Sequence, residues 1–441
     1  MTKEKKGIKT LWMDLPEGVT SYNFWSLVLL AFLVNLSLPL FHIIQPLWLE
    51  KVIKIDKLKY GLINSNLQII MEIMQIAFLG FLGIVSDRLG RRPLLWFGFL
   101  FFGIFFYLYG QSASIAAVVG LDPITIVYIM RGINAFLFLL LWPQIITLIA
   151  DYSNVENRGR GMGVVNFISI FGAFFSLLFV SQVPKLTGVM SFFYIGPLIG
   201  FLGCIIAFAG IKDRKEIGVG VKRREREKKE WKKVFALARE KPGLRVCFFA
   251  AFAARADQSI LGLFLITWAV KVAGSFGKTP EEATAAAPAM MAVNVLVATI
   301  FSPVFGYLTD RFSRKLILCV SLVLSGFGYA LMSFLDSPYH LQIYIAMAFM
   351  GMGLSGITIS AQTLTADLAP KELTGSVLGV YNTAGAIGIL FFAFAGGYLF
   401  DHVSFTAPFL LKGIADFVAL SYALYNWKNI SHHSEQVAEN A

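Results

Sequence analysis

The sequence predicts an all-α membrane protein with twelve transmembrane helices in two pseudo-symmetric six-helix bundles. Three observations lead to this prediction. Hydrophobic residues make up 57% of the 441 residues and charged residues only 15%, whereas soluble domains carry about a quarter charged residues. Apolar runs of about 20 residues, the length that crosses a bilayer core, recur along the chain. A charged motif also occurs twice, half a chain apart.

The apolar runs give twelve predicted spans, six on each side of a long polar segment. Their ranges are 22–44, 61–85, 93–111, 124–149, 160–182, 191–211, 244–270, 286–309, 315–335, 340–364, 373–399 and 405–427. The predicted organisation is a tail at 1–21, a bundle at 22–211, a linker at 212–243, a second bundle at 244–428 and a tail at 429–441.

The polar linker carries mixed charges and a pattern that predicts a short amphipathic helix around Trp231, Val234 and Phe235. One interpretation is a lipid-binding or regulatory segment at the membrane surface. The other is a connection whose charge keeps it in the cytoplasm. The second is favoured, because runs of charge are usually solvated.

Lysine and arginine in the short loops predict the orientation. With the N-terminus inside, most basic residues of the short loops fall on the inner side, and the loops after spans three, nine and eleven hold none. The loop at 50–60 disagrees, since it is expected outside and holds four Lys. The balance predicts a multi-pass protein with both termini cytoplasmic. The predicted outer loops hold no Asn-x-Ser/Thr acceptor, which favours a bacterial plasma membrane.

The net charge of +11 does not predict nucleic-acid binding, because the basic residues act as topology signals in a few loops. Cys204, Cys247 and Cys319 lie far apart, so neither a disulfide framework nor a metal site is expected. No cofactor is predicted. The expected partners are a small-molecule substrate, protons as coupling ion and membrane lipid.

The repeated motif reads GIVSDRLGRR at 83–92 and GYLTDRFSRK at 306–315, between spans two and three and between spans eight and nine. A weaker echo follows spans four and ten, as IADYSNVENRGRGMGV at 149–164 and TADLAPKELTGSVLGV at 365–380. Two motifs repeated in register indicate two related bundles. Transporters are commonly built from such repeats, with the substrate site between them.

The first copy of the motif resembles the signature of the major facilitator superfamily. Six residues fit the signature: Gly83, Asp87, Arg88, Gly90, Arg91 and Arg92. In the second copy Ser313 replaces a Gly, and the residues that are kept are Gly306, Asp310, Arg311, Arg314 and Lys315. The resemblance implies a secondary transporter whose motif latches the two bundles on the cytoplasmic side. The alternative is that the motif is a topology signal alone.

Elementary chemistry assigns roles within the motif. Gly83 and Gly90 are expected to let helices approach and the chain turn. Asp87 lies at a helix end, where backbone N–H groups or Arg can satisfy its charge. A second antiporter motif of the family is only partial, with Arg131 followed by Asn134 and Ala135 in place of Gln and Gly.

Ionisable residues at bilayer depth are costly and therefore candidates for function. Glu72 lies near the middle of span two, with Gln68 and Gln75 on the same helix face. This stripe is either a proton or substrate site or a hydrogen-bonded seam between helices. Arg131 in span four needs an anion, a carboxylate or carbonyls, and these possibilities stay open.

Span seven carries Arg255, Asp257 and Gln258 near its middle. Arg255 and Asp257 are about 200° apart on a helix and do not face each other. Asp257 and Glu72 are the two candidates for proton exchange, and the alternative for Asp257 is an ion pair with another helix. Lys412 and Asp416 are expected to pair with each other at i, i+4.

By family analogy, Asn35 on helix one and Gln362 on helix ten are further candidates for lining a central cavity. For a lone polar residue of this kind, helix packing is the more common explanation.

The sequence holds no Walker A motif and no metal-ligand cluster, so neither ATP hydrolysis nor catalysis is predicted. The expected function is secondary active transport of a small solute by alternating access. Proton-coupled export of an amphipathic or drug-like compound is the first expectation. Uptake or exchange of an organic anion is the alternative, and a non-transporting receptor or scaffold on the same fold is a possibility of another class.

Overall fold

The computed structural model describes residues 9–10, 13–16, 18–56, 59–153, 158–213, 227–370 and 373–430. A small antiparallel hairpin precedes the helices. Its strands are β1 (Lys9–Thr10) and β2 (Met13–Asp14), and Lys9 lies opposite Asp14. Everything that follows in the described ranges is helical or connects helices, as the sequence predicts.

The chain divides into two compact units. One comprises Met1–Ile55 and Ile70–Lys222, and the other comprises Asp56–Ile69 and Arg223–Ala441. The bounds of the two predicted bundles stay a prediction.

The first ten α-helices precede the charged linker and follow the predicted spans. They are α1 (Ser21–Ser37), α2 (Leu40–Trp48), α3 (Tyr60–Leu89), α4 (Arg91–Gly110), α5 (Ser112–Val119), α6 (Pro123–Leu139), α7 (Trp142–Asp151), α8 (Arg158–Leu178), α9 (Val183–Thr187) and α10 (Ile195–Gly210). Most of α3 lies in the first unit, and its first turns lie in the second.

The first span is longer than predicted. It runs from Ser21 to Ile53 instead of ending at residue 44, because α2 continues through Pro46 into a π-helix at Leu49–Ile53. Nearly all of α2 is buried, so the side chains beyond residue 44 still pack inside the protein. The four-Lys loop is therefore shorter than the sequence suggested.

The remaining helices begin with the linker helix. They are α11 (Glu227–Glu240), α12 (Pro242–Ala254), α13 (Asp257–Ile260), α14 (Ile266–Val272), α15 (Pro280–Arg311), α16 (Arg314–Ser333), α17 (Gln342–Leu368), α18 (Thr374–His402) and α19 (Ala407–Tyr425). The long helix α15 starts at a capping box, in which Thr279 accepts from the N–H of Glu282 and Glu282 accepts from the N–H of Thr279.

The predicted amphipathic helix of the linker is α11. Val234 and Ala238 are buried in the same core cluster as Leu244 and Cys247 of α12, whereas Phe235 on the opposite face is 54% exposed. Apolar residues at i and i+4 share one helix face, so one stripe anchors α11 to the second unit. The more basic stretch before Glu227 lies outside the described residues.

Span seven is the main departure from the predicted fold. Within the described ranges, eleven helices are long and apolar enough to cross a membrane. They account for every predicted span except span seven, which is divided. It comprises α12, a turn at Arg255 and Ala256, α13, a π-helix at Leu261–Leu265 and α14. Breaks and π-turns inside a helix often mark functional sites. The apolar run 244–270 gave no sign of the break.

Candidate functional site

The first copy of the charged motif holds three elements of the first unit together. Asp213 caps α4, because its Oδ1 accepts the backbone N–H groups of Arg91 at 2.6 Å and Arg92 at 2.9 Å. Gly90 precedes this turn with φ of +98°, and a Cβ there would collide with the Asp213 carboxylate. Glycine is therefore required at Gly90, as predicted.

The two arginines after Gly90 bind neighbouring helix ends. Arg91 forms an ion pair with Asp151 at the end of α7. The guanidinium of Arg92 donates to the carbonyl of Phe208 in the last turn of α10, at 2.6 and 3.0 Å. Both contacts lie within the first unit.

Other residues of the first motif copy behave differently. Arg88 is exposed, and the side chain of Asp87 lies outside the described residues. A Cβ added at Gly83 would meet no atom of the described residues within 4 Å. The expectation that Gly83 permits a close helix approach therefore has no support from the described residues and stays a prediction.

The second motif copy repeats the ion pair. Arg314 pairs with Asp367 at the end of α17, in the position that Arg91 and Asp151 hold in the first copy. Asp310 and Arg311 are exposed, and Arg311 donates to the hydroxyl of Tyr307 at 2.6 Å. Gly306, like Gly83, faces open space among the described residues.

The two acidic partners were missed in the sequence, although their signal was present. Asp151 and Asp367 are the third residues of the echoed stretches IAD and TAD. The repeat was interpreted only as evidence of duplication. It also contains the aspartate that forms the ion pair in each half of the chain. The sequence alone gave no reason to join these residues to the arginines.

We expect Arg91 and Asp151 to be energetically coupled, because each side chain is only 8% exposed. In a double-mutant cycle of Arg91→Gln and Asp151→Asn, the coupling energy should be about 1–3 kcal/mol. The measurement is thermal or denaturant unfolding of the purified protein in detergent. Additive effects of the two substitutions would show that the pair contributes no stability.

A cationic centre lies inside the first unit, where Arg131 of α6 is 2% exposed. Its guanidinium stacks over the ring of Phe41 at 4.0 Å and donates to Sδ of Met71 at 3.6 Å. Arg131 also interacts electrostatically with Glu72 and Tyr109. The structure thus places Glu72 within electrostatic range of Arg131, a question that the sequence left open.

The neighbouring polar candidates have mixed surroundings. Asn134 donates to the carbonyls of Phe105 at 3.0 Å and Met130 at 2.9 Å, while its buried Oδ1 accepts no hydrogen bond from the described residues. Asn35 donates to Ala31 in its own helix at 2.9 Å. Gln68 is buried, and it lies in the part of α3 that belongs to the second unit.

Two charged residues flank the break in span seven and point to different environments. Arg255 is exposed and donates from Nη1 to Oδ1 of Asn382 in α18, at 2.7 Å. Asp257 is 3% exposed and lies on the opposite side of the break. The side chain of Gln258 lies outside the described residues, and Gln362 of α17 is exposed.

Asp257 belongs to a buried ionic cluster. Lys412 of α19 places Nζ 2.8 Å from Oδ1 of Asp257 and donates to both carboxylate oxygens of Asp416, at 2.7 Å each. The predicted pair of Lys412 and Asp416 is confirmed. The alternative that Asp257 pairs with another helix is also observed. Two residues of α16 that were not predicted contact this cluster: Ser325 donates to Asp416, and Tyr329 donates to the backbone carbonyl of Asp257.

The chain is similar to several known proteins. The Major Facilitator Superfamily matches residues 27–274 and 247–439 of the chain. The chain is 30% identical to magnetosome protein MamH of Paramagnetospirillum magneticum over 399 residues, which cover 90% of this chain and 91% of MamH. It is 22% identical to multidrug resistance protein 2 of Bacillus subtilis, over 81% of this chain and 84% of that protein.

The fold is shared with solved transporters. The crystal structure of the nucleoside transporter NupG superposes with a TM-score of 0.71, at 15% identity, over 93% of this chain and 100% of that one. The predicted fold class is thereby confirmed. The family match spans both halves and joins the duplicated motif to that fold. This chain therefore belongs to the Major Facilitator Superfamily of membrane transporters.

Proposed function

We propose that the chain moves a small solute with an anionic group by alternating access, with a proton gradient supplying the energy. The proposed direction is uptake or exchange. The proposed location is a bacterial plasma membrane, because the predicted outer loops hold no Asn-x-Ser/Thr acceptor. The Lys and Arg distribution supports cytoplasmic termini.

The exposed Arg255 carries this proposal. It lies at the break of span seven, which is mostly apolar, and an amide oxygen of Asn382 is the acceptor that the described residues provide for its guanidinium. A guanidinium has five N–H donors in a planar fork that suits carboxylate and phosphate groups. An exposed cation at membrane depth faces water or protein, because exposure to acyl chains is too costly. A solute anion is the natural ligand for the remaining donors.

The drug-like substrate is the second candidate. It is favoured by the likeness to multidrug resistance protein 2, and by the aromatic and thioether groups around Arg131. An exposed cation works against binding of lipophilic cations, however. A receptor or scaffold that transports nothing is the third candidate, and it predicts binding without flux.

A thermal-shift screen of the purified full chain discriminates these candidates. The probes are a panel of small carboxylates and phosphate esters, with ethidium and tetraphenylphosphonium as lipophilic cations. We expect stabilisation by a member of the anion panel. A shift with the two cations alone would favour the drug-like candidate. Binding of an anion without flux into proteoliposomes would favour the receptor.

Arg255→Gln should weaken binding of that anion about tenfold to a hundredfold, because a hydrogen bond between charged groups contributes about 1.5–3 kcal/mol. Arg245→Gln is the matched control, since Arg245 is an exposed arginine on the same helix α12. Titration calorimetry measures both variants. Equal affinity in the wild type and Arg255→Gln would show that Arg255 does not bind the solute.

A further inference from the structure

We infer that Asp257 binds one exchangeable proton, and that the cluster of Asp257, Lys412 and Asp416 is the proton site of this transporter. This inference rests on the proposed proton-coupled function and gives it a location. It assigns to Lys412 and Asp416, which the sequence identified only as a pair, a part in energy coupling.

The charge of the cluster carries the first step. Two carboxylates share one ammonium group, so the cluster has a net charge of −1 when all three groups are ionised. The side chains of Lys412 and Asp416 are 0% exposed, and that of Asp257 is 4% exposed. An uncompensated charge is unfavourable away from water. One added proton makes the cluster neutral.

The hydrogen bonds identify which carboxylate takes the proton. Asp416 accepts two hydrogen bonds from Lys412 and one from Ser325 Oγ at 2.7 Å, which stabilise its charged form. Oδ1 of Asp257 lies 2.8 Å from Nζ of Lys412, and no serine hydroxyl of the described residues donates to the Asp257 carboxylate as Ser325 does to Asp416. Asp257 is thus the less stabilised carboxylate and the one nearer to solvent.

The groups that face Asp257 come from two helices. Lys412 and Asp416 lie on α19, and Tyr329 lies on α16, where its hydroxyl donates to the backbone carbonyl of Asp257 at 3.4 Å. The ammonium of Lys412 also lies 4.7 Å from the centre of the Tyr329 ring. Protonation of Asp257 removes one of the two ionic contacts of Lys412. Protonation therefore weakens the ionic contact between span seven and α19.

The position of Asp257 links this change to the substrate side. Asp257 is the first residue of α13, directly after the turn at Arg255 and Ala256, and the π-helix follows four residues later. Arg255, on the other side of the turn, is the residue proposed to bind the solute anion. A change in the ionic contact of Asp257 acts on the same break that positions Arg255.

The test is infrared difference spectroscopy of the full chain in liposomes as the pH is lowered, with no solute added. We expect, in the wild type, one carbonyl band of a newly protonated buried carboxyl group, at a frequency distinct from the bands of the exposed carboxyl groups. The band should disappear in Asp257→Asn and in Asp416→Asn, because either change leaves a neutral pair. It should persist in Asp336→Asn, which alters an exposed loop carboxylate.

Conservative variants locate the proton without removing charge. Asp257→Glu should shift the band frequency, and Asp416→Glu should leave it in place. A band that survives in Asp257→Asn, or no titrating band in the wild type, would overturn the inference. These spectra need no solute, so they test the proton site independently of transport. If the wild type shows the band but transports none of the probe solutes, the proposed function is wrong and the inferred proton site still holds.

Discussion

Lys412→Met should destabilise the protein by about 3–5 kcal/mol, because removing one partner of a buried ion pair leaves charge without compensation. Here two carboxylates, Asp257 and Asp416, lose their common cation in a place where Lys412 itself is 0% exposed. Methionine matches the length of the lysine stem, so lost packing contributes little. Thermal unfolding of the purified protein in detergent measures the effect.

Two further variants separate the loss of charge balance from other causes. Lys428→Met removes an exposed lysine just beyond the same helix α19 and should change stability little. The triple variant Lys412→Met, Asp257→Asn, Asp416→Asn removes all three charges and should recover much of the lost stability. If Lys412→Met were as stable as Lys428→Met, the cluster would not be an ionic site.

Gly388→Ala should destabilise the protein by about 1–3 kcal/mol or more, as overpacking of a tight contact does. A Cβ at this position of α18 would collide with the carbonyl oxygen of Phe252 and lie 2.8 Å from its carbonyl carbon. These are backbone atoms of α12, three residues before the break, and they move only if the helix moves. The same variant should therefore weaken anion binding at Arg255.

Gly379→Ala is the matched control for this prediction. Gly379 lies on the same helix α18, and a Cβ there meets none of the described atoms within 4 Å. Alanine is favoured over glycine inside a helix by about 1 kcal/mol. This control should therefore melt no lower than the wild type. Equal melting of both variants would show that α12 and α18 are less closely packed than described.

The helical class and the spans follow from hydropathy, because a bilayer imposes long apolar segments that a single sequence displays directly. The same signal is insensitive to backbone irregularity. The hydropathy of residues 244–270 is high whether the helix is continuous or broken at Arg255. In span one, the extension to Ile53 contains polar residues that hydropathy assigns to a loop. Local hydrogen bonding and tertiary packing decide both cases.

The sequence identified several residues of the candidate site, but it did not predict which side chains they contact. Depth in the membrane marked Glu72, Arg131 and Asp257, since ionisable groups there are rare and need partners. Which partner each one meets depends on helix rotation and crossing, which one sequence does not encode visibly. Lys412 illustrates this: its i, i+4 partner Asp416 was predictable, and its contact with Asp257, 155 positions away in the chain, was not.

Accumulation of an anion in proteoliposomes under an imposed pH gradient tests the central claim most directly. With the panel member that stabilises the protein, the wild type should concentrate the anion above equilibrium, and a protonophore should abolish this. Asp257→Asn should still exchange the anion down its gradient but should no longer concentrate it. Accumulation by Asp257→Asn equal to that of the wild type would contradict the account.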